Sequence, residues 1–322
     1  MRRAKRAREG RPGMILISGE ALIDLIPDPE VDERYDAKIG GSPYNVAIGL
    51  ARLGAPVSFI SRLSADANGE RLAKALIREN IDLSLTARDA RPTVLAFVMR
   101  GTAQTGSRYS FYLDATSYDG PWPFPAEWPK GATHLHVGSI SAVDPRHAER
   151  VIDALQFART HATTSYDPNI RPMVTPDRDA VRAVVERQVG LAHVVKASEE
   201  DLEWLYPGRG AFDTLASWAG LGPRFCIATL GGNGAVAYLG AERLVIAPKK
   251  VTVADTVGAG DSFMSSLLCA MDRDSALGPF GAPPSLQNLS KWLSFAAKAS
   301  AITCTRIGSD PPSLIEVMSI PD

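Results

Sequence analysis

Residues 255–261 (DTVGAGD) combine a glycine-rich turn with a carboxylate, and the apolar run 262–271 that follows them has a helical pattern. Bare backbone N–H groups in such a turn can point at one spot, where the N-terminus of the following helix adds partial positive charge. Asp261 falls in the first helical turn, where its carboxylate can take the proton from a hydroxyl group that attacks a phosphate. The segment predicts a site for phosphoryl transfer, although Asp261 taken alone would equally be an acid that complements the helix dipole. The residues of the turn itself are Gly258, Ala259 and Gly260.

A second glycine pair lies near the start of the chain, in residues 40–45 (GGSPYN), and precedes an apolar helical run at 46–53. Gly41 would let the backbone approach a ligand closely. The amide of Asn45 both donates and accepts hydrogen bonds, which suits a vicinal diol. The alternative for this motif alone is a tight turn with Asn45 as a helix N-cap.

Short apolar runs alternate with amphipathic stretches along the rest of the chain. The runs at 14–18, 57–60, 134–137, 164–166, 193–196 and 225–230 predict buried parallel strands. The stretches at 44–53, 69–79, 145–160 and 179–188 predict helices between them. This alternation indicates an α/β fold, with a mostly parallel central sheet flanked by helices. Residues 22–39 and 92–115 break the pattern and predict a small antiparallel flap that serves as a lid.

Composition excludes several classes of protein. The chain has 322 residues, with 35 Lys and Arg against 36 Asp and Glu, so it lacks the basic balance of a nucleic-acid binder. No apolar run approaches the roughly 18 residues that a membrane span needs. Three widely spaced cysteines without a C-x-x-C pair argue against a disulfide scaffold or zinc site and favour a cytoplasmic location. The basic segment 1–13 predicts a disordered leader before a single domain at 14–322.

Together, the two glycine motifs resemble the two signatures of the PfkB (ribokinase-like) family of carbohydrate kinases, in the same order and with similar spacing. The resemblance runs from Met14 onward and implies a ribokinase-like fold with a β lid. It implies that Asp261 is the catalytic base for a primary hydroxyl of a sugar, and that Gly258, Ala259 and Gly260 form the anion hole. The implied cofactors are ATP with Mg²⁺, together with K⁺ as a monovalent cation.

The resemblance also implies binding residues. Residues 19–24 match the opening strand that ends in a sugar-binding Asp, and residues 167–171 (DPNIR) follow a predicted strand, where sites of α/β proteins lie. The expected sugar-binding residues are Asp24, Gly41, Asn45, Arg108, Tyr112, Asp167, Asn169 and Arg171. Residues 229–234 (TLGGNG) resemble the turn that meets the nucleotide phosphates, and 295–308 resemble the stretch beside the adenine. The expected nucleotide-binding residues are Thr229, Gly231, Gly234, Gly260 and Gly308.

Metal sites are implied less fully. The family's N-x-x-E helix start is matched at 197–200, where Ala197 replaces the Asn, so only Glu200 carries over as a magnesium residue acting through water, with Glu199 as a competing choice. Backbone oxygens around Asp255 and Val257, with the loop 305–309, resemble the monovalent-cation site.

The sequence also bears on the substrate and on the assembly of the protein. The segments DPNIR, GSPYNVA and ITCTR are most similar to bacterial fructokinases, which favours fructose as the substrate. A 2-keto-3-deoxygluconate kinase is the nearest alternative, but Leu113 stands where a second Arg would pair the substrate carboxylate. Ribokinase, nucleoside kinase and a sugar-sensing relative without turnover are further alternatives. The edge of the flap suggests a homodimer.

Overall fold

The computed structural model describes residues 13–28, 30–31, 33–99, 108–279, 281 and 283–321. The backbone of Arg108 is described, whereas its side chain is not. Of the predicted leader, all residues but Gly13 lie outside the described part of the chain.

The strands form one large sheet and two small ones. The large sheet has eight strands in the order β14-β13-β12-β11-β10-β9-β1-β4. Strands β12 to β4 of that order run parallel, and β13 and β14 extend the sheet as an antiparallel edge. In chain order, the strands are β1 (Met14–Ser18), β2 (Leu22–Pro27), β3 (Tyr35–Gly40), β4 (Val57–Ile60), β5 (Arg62–Ser64), β6 (Ala87–Asp89), β7 (Leu95–Met99), β8 (Arg108–Tyr112), β9 (Ala132–Gly138), β10 (Thr163–Asp167), β11 (Val194–Ser198), β12 (Phe225–Thr229), β13 (Ala235–Leu239) and β14 (Glu242–Ile246).

Helices cover both faces of the large sheet, which confirms the predicted fold class. Alternate residues of β1 face opposite ways: Ile15 and Ile17 belong to one buried cluster and Leu16 to the other. In chain order, the helices are α1 (Ser42–Arg52), α2 (Ala67–Arg78), α3 (Ile140–Val143), α4 (Ala148–Arg159), α5 (Arg178–Leu191), α6 (Glu199–Leu205), α7 (Ala211–Ala219), α8 (Ala259–Arg273), α9 (Leu286–Cys304) and α10 (Leu314–Ser319). Helices α1, α8 and α9 pack on the Ile15 face, and α4, α5 and α7 on the Leu16 face.

The starts of α1 and α8 have no side-chain cap, a feature that they share with α3, α4 and α7. Asp66, Asp177 and Ser285 cap α2, α5 and α9 by accepting backbone N–H bonds. The N-caps of α1 and α8 are Gly41 and Gly258, with φ of 108° and 77°, and neither helix has a side-chain cap. Because no cap covers them, these two starts are available to a ligand.

The four-stranded sheet β3-β2-β7-β8 forms the flap. Its outer pairs, β2/β3 and β7/β8, are antiparallel as predicted. Its central pair is parallel, with Ile23 opposite Leu95. The flap is therefore a mixed sheet in which two hairpin-like pairs meet side by side.

None of the helices in the described ranges combines the length and hydropathy that crossing a membrane requires.

Candidate active site

Asp261 lies buried in the first turn of α8 and is held by the first turn of α1. The Ser42 hydroxyl donates to Asp261 Oδ1 at 2.6 Å, and the Asn45 amide donates to Oδ2 at 2.8 Å. The two predicted glycine motifs are therefore joined through this carboxylate, across more than 200 residues of sequence. Asn45, predicted to bind a sugar, also supports Asp261.

Burial raises the pKa of Asp261, because it penalises the charged carboxylate. Hydrogen bonds from Ser42 and Asn45 oppose that effect, as do the positive charges of Lys196 and Arg171. Burial thus favours the protonated form of Asp261, whereas four neighbouring groups favour its ionised form.

The turn before Asp261 requires glycine at one position. Gly258 has a left-handed backbone, and a Cβ placed on it would lie 2.9 Å from the Cα of Ser309. Within the described residues, the Ala259 N–H donates to the Thr256 carbonyl at 3.2 Å, whereas the N–H groups of Gly258, Gly260 and Asp261 have no protein acceptor. Two predicted members of the anion hole, Gly258 and Gly260, thus have free donors in the described structure, whereas the third, Ala259, is already engaged.

A buried ion pair, of which the sequence analysis recognised only the acid, lies beside this turn. Lys196 Nζ lies 2.9 Å from Asp167 Oδ2, and the two side chains are only 4% and 2% exposed. A Cβ on Gly260 would be 3.1 Å from the same Nζ, so the ammonium group lies directly against the glycine turn. The sequence signal that could have revealed Lys196 is its position as a lysine inside the otherwise apolar strand β11 (VVKAS).

The two members of this pair titrate in an unusual environment. Burial raises the pKa of Asp167 to about 6 although Lys196 opposes the shift. Burial acts to lower the pKa of Lys196, but the carboxylates of Asp167, Asp201 and Asp261 outweigh it, so the pKa is raised. The surroundings therefore favour the charged form of Lys196, whereas burial favours the neutral form of Asp167.

The predicted segment 167–171 forms a turn at the end of β10. Asn169 has a positive φ of 39°, and its Oδ1 accepts a hydrogen bond from Arg171 Nη1 at 2.8 Å. The Arg171 charge opposes the rise in the pKa of both Asp24 and Asp261. Burial nevertheless raises the pKa of Asp24 to about 6.

The flap presents a different tyrosine from the predicted one. The register pairs Asp24 with Ala96, Ala96 with Phe111, and Tyr109 with Val98, so Asp24 and Tyr109 share one face. Consistent with that, Asp24 and Asp261 contribute to the raised pKa of Tyr109, behind the larger effect of burial.

Tyr112, predicted to bind the sugar, lies on the other face of the flap. It is 59% exposed and contacts Phe97, with the ring centroids 5.4 Å apart. Side chains alternate along β8, so Tyr112 and Tyr109 point in opposite directions. Arg108 pairs with Met99 at the start of β8, and its predicted side-chain role lies outside the described structure.

Three of the predicted nucleotide residues, Thr229, Gly231 and Gly234, lie at the end of β12 and in the turn that follows it. Gly231 and Gly308 have positive φ angles of 53° and 76°, and a Cβ on either would meet nothing within 4 Å, so both face open space. Gly234 makes the turn into β13, where a Cβ would lie 2.1 Å from the Ile246 carbonyl oxygen. Thr229 ends β12 and donates to the Ala197 carbonyl at 3.4 Å.

At the start of α6, the buried acid is Asp201, whereas Glu200 is exposed. Glu200 is exposed and borders a surface recess that also includes Glu199 and Arg178. Asp201 is buried, accepts from the Ile170 N–H at 2.7 Å, and contributes to the shifted pKa of Lys196. The magnesium role of Glu200 stays a prediction. Within the described ranges, no cluster of three or more His, Cys, Asp or Glu residues is arranged to hold a metal ion.

Asp255 joins the glycine turn to the loop 305–309. Its Oδ1 accepts from the Val257 N–H at 3.1 Å, and its Oδ2 accepts from the Gly308 N–H at 2.8 Å. The hydroxyl of Ser309 is buried beside Gly258 and has no hydrogen-bond partner in the described structure. The predicted monovalent-cation segments are therefore adjacent, with one unsatisfied oxygen between them.

Comparisons with known proteins agree with this geometry. The sequence profile of the family described as pfkB family carbohydrate kinase matches residues 13–315. The fructokinase of Rhizobium leguminosarum bv. trifolii is 35% identical over 270 residues, which cover 82% of this chain and 81% of that protein. Both findings confirm the family that the glycine motifs indicated.

Solved structures of similar shape extend the comparison. The fructokinase of Xylella fastidiosa with bound ATP has a TM-score of 0.84 and 25% identity, and the match covers 96% of this chain and 98% of that one. A double mutant of the Vibrio cholerae O395 fructokinase, with fructose, ADP and a potassium ion, has a TM-score of 0.84 and 25% identity. That match covers 98% of this chain and 100% of the other.

Proposed function

Because the chain belongs to the pfkB family of carbohydrate kinases, we propose that it transfers the γ-phosphoryl group of ATP to a primary hydroxyl of fructose. The observation that carries the proposal is the buried Asp261, held between two uncapped helix starts beside the Lys196 ammonium group. Fructose is supported by the names of the similar proteins, which are fructokinases.

In this mechanism, Asp261 is the base. Its carboxylate takes the proton of the sugar hydroxyl as the hydroxyl oxygen bonds to the γ-phosphorus and the bond to the ADP oxygen breaks. The free N–H groups of Gly260 and Asp261 face the charge that grows on the phosphoryl oxygens. Lys196 adds a fixed positive charge to the same region.

The sugar would lie between the flap and the ends of the parallel strands. Asp24 would accept hydrogen bonds from sugar hydroxyls on the flap side, while Asn45 and the backbone at Gly41 would approach from α1. The charge of Arg171 offsets part of the negative charge of Asp24 and Asp261. Tyr109 replaces Tyr112 in the proposed set because it shares the Asp24 face.

The nucleotide would bind along Thr229, Gly231, Gly234 and Gly308. The bare surfaces of Gly231 and Gly308 admit phosphates or a ring close to the backbone. Exposed apolar side chains nearby suit an adenine, with Val253 58% and Ile307 85% exposed.

Cations would accompany the nucleotide. The described residues fit Mg²⁺ only as an ion carried by ATP phosphates and water, since they form no three-ligand cluster. Such an ion neutralises charge on the β- and γ-phosphoryl oxygens. A monovalent cation such as K⁺ fits the backbone oxygens around Asp255 and Val257, where the Ser309 hydroxyl lacks a partner.

We also propose a homodimer formed through the outer face of the flap, in a cytoplasmic setting. That face bears Tyr35, Met99 and Tyr112, which are 47%, 41% and 59% exposed, around the ring of Phe97. A cluster of this kind at a sheet surface favours a partner. Sedimentation of the wild type and of Tyr112→Glu tests it: a dimer is expected for the first and a monomer for the second, and a monomeric wild type contradicts it.

The test of function is an ATP-consumption assay with fructose, ribose, adenosine and 2-keto-3-deoxygluconate. Fructose is expected to give the highest kcat/KM, and Asp261→Asn to lower kcat by about 10²–10⁴ with the fold intact. Asp213→Asn, an exposed carboxylate on α7, is the matched control and should retain full activity. More than about a tenth of wild-type kcat in Asp261→Asn would reject Asp261 as the base. A hundredfold preference for the keto acid would reject fructose.

A further inference from the structure

Ser42 stands where a helix-capping residue is expected but does not cap its helix. It is the first residue of α1, whose N-cap is Gly41, and no side chain caps that helix start. Serine near a helix start ordinarily accepts a hydrogen bond from a nearby backbone N–H. Here, the Ser42 hydroxyl instead donates to Asp261 Oδ1 at 2.6 Å. The side chain therefore supports the carboxylate rather than its own helix.

The first turn of α1 holds both oxygens of the carboxylate. Ser42 and Asn45 are three residues apart, so their side chains project from the same side of the helix. One binds Oδ1 and the other binds Oδ2. With two donors at fixed positions, the plane of the Asp261 carboxylate is set relative to the start of α8.

We propose that Ser42 is a positioning residue that fixes the orientation of the Asp261 carboxylate for proton transfer from the substrate hydroxyl. The inference rests on the proposed function, in which Asp261 is the base. Asn45 has a second proposed contact, with the sugar, whereas the Ser42 hydroxyl bonds only to the carboxylate in the described structure. Ser42 therefore isolates the positioning effect from substrate binding.

The same hydrogen bond favours the ionised form of Asp261, because the hydroxyl donates to it. Other charged or titratable groups face this carboxylate from the surrounding elements. They are Lys196 on β11, Arg171 and Asp167 at the end of β10, Asp24 on β2 and Tyr109 on β8. None of them is altered by a substitution at Ser42, so a change in the pH profile reports the lost donor.

The test compares kcat/KM for the sugar from pH 5 to 9 in the wild type and three variants. In Ser42→Ala, we expect the apparent pKa of the acidic limb to rise by about one pH unit, as loss of a hydrogen bond to a charged group implies. We expect kcat on the plateau to fall about tenfold through misorientation, with KM changed less than about threefold. Alanine is a strong helix former, so α1 should remain intact. Ser42→Thr keeps the hydroxyl and should restore the wild-type pH profile.

Ser262→Ala is the matched control. Ser262 follows Asp261 on α8, and its hydroxyl is buried without a hydrogen-bond partner in the described structure. An acidic limb that stays in place in Ser42→Ala would overturn the inference, and so would an equal shift in Ser262→Ala. An active Asp261→Asn would instead overturn the proposed base, so the two failures are distinguishable.

Discussion

Replacing Lys196 by methionine removes the cation of a buried ion pair while keeping a side chain of similar length. Lys196 Nζ and Asp167 Oδ2 are 2.9 Å apart, and both side chains are almost wholly buried. Asp167 Oδ1 has no other hydrogen-bond partner in the described structure. Lys196→Met therefore leaves a carboxylate that neither water nor protein compensates.

The size of the effect follows from the burial. Breaking a buried pair by removing one partner typically costs about 3–5 kcal/mol of the free energy of unfolding. Replacing both partners by apolar side chains is often neutral, since no charge then remains buried. The free energy of unfolding of Lys196→Met should therefore be about 3–5 kcal/mol lower than that of the wild type at pH 8. The double variant Lys196→Met/Asp167→Leu should recover most of that difference.

The loss should depend on pH. The folded pKa of Asp167 is already raised to about 6 from an ordinary value of 3.8, and removal of Lys196 raises it further. A group whose pKa is raised on folding contributes stability that is present below its unfolded pKa and is lost as pH rises through its folded pKa. The variant should thus be less impaired at pH 5, where Asp167 is protonated, than at pH 8.

Urea unfolding followed by tryptophan fluorescence at both pH values measures these differences. A loss below about 1 kcal/mol at pH 8 would refute the reasoning, because it would mean that the pair carries no uncompensated burial cost. A double variant no more stable than Lys196→Met would refute it as well, since the remaining loss could not then come from the unpaired Asp167.

Two further predictions concern the turn and the flap. Gly258→Ala should lower stability by about 1–3 kcal/mol and abolish most turnover, because its φ is 77° and the new Cβ would strike the Ser309 backbone. Thermal unfolding measures the stability and steady-state kinetics the kcat, and wild-type values of the two would contradict the prediction. Tyr109→Phe should raise KM for the sugar several-fold, while Tyr112→Phe on the opposite face should leave KM within about twofold. Steady-state kinetics of the two variants measure KM for the sugar. A larger KM in Tyr112→Phe than in Tyr109→Phe would show that the assigned faces are wrong.

The fold could be predicted because its main signals are local. The central strands are short apolar runs buried on both faces, as β1 and β10 show. The glycine turn before α8 is equally local, since Gly258 needs a left-handed backbone that few other residues adopt. The antiparallel edge formed by β13 and β14 was not predicted, because its outer strand is mostly exposed and lacks a continuous apolar run.

The residues that sequence reasoning misplaced depend on register or helix phase. Tyr109 and Tyr112 are three residues apart on one strand, and only the pairing with β7 decides which of them faces Asp24. At α6, Ser198 is the N-cap and Asp201 closes its capping box, so the buried acid is one residue beyond the expected Glu200. Both are differences of position within an element that the sequence indicated.

Lys196 was missed for a different reason, which also explains where the site lies. Its partner Asp167 is on a neighbouring parallel strand, and no sequence pattern joins the two before β10 and β11 are aligned. A buried lysine, a buried Asp261 and a helix start capped only by Gly258 each work against stability when taken alone. All three lie within one small region near the carboxyl ends of the central strands β10 and β11. A phosphoryl group there would supply negative charge and accept hydrogen bonds from the unused N–H donors. Natural sequences depart from ordinary folding rules mainly at functional sites. This grouping is therefore itself evidence that the chemistry takes place in the region around Asp261.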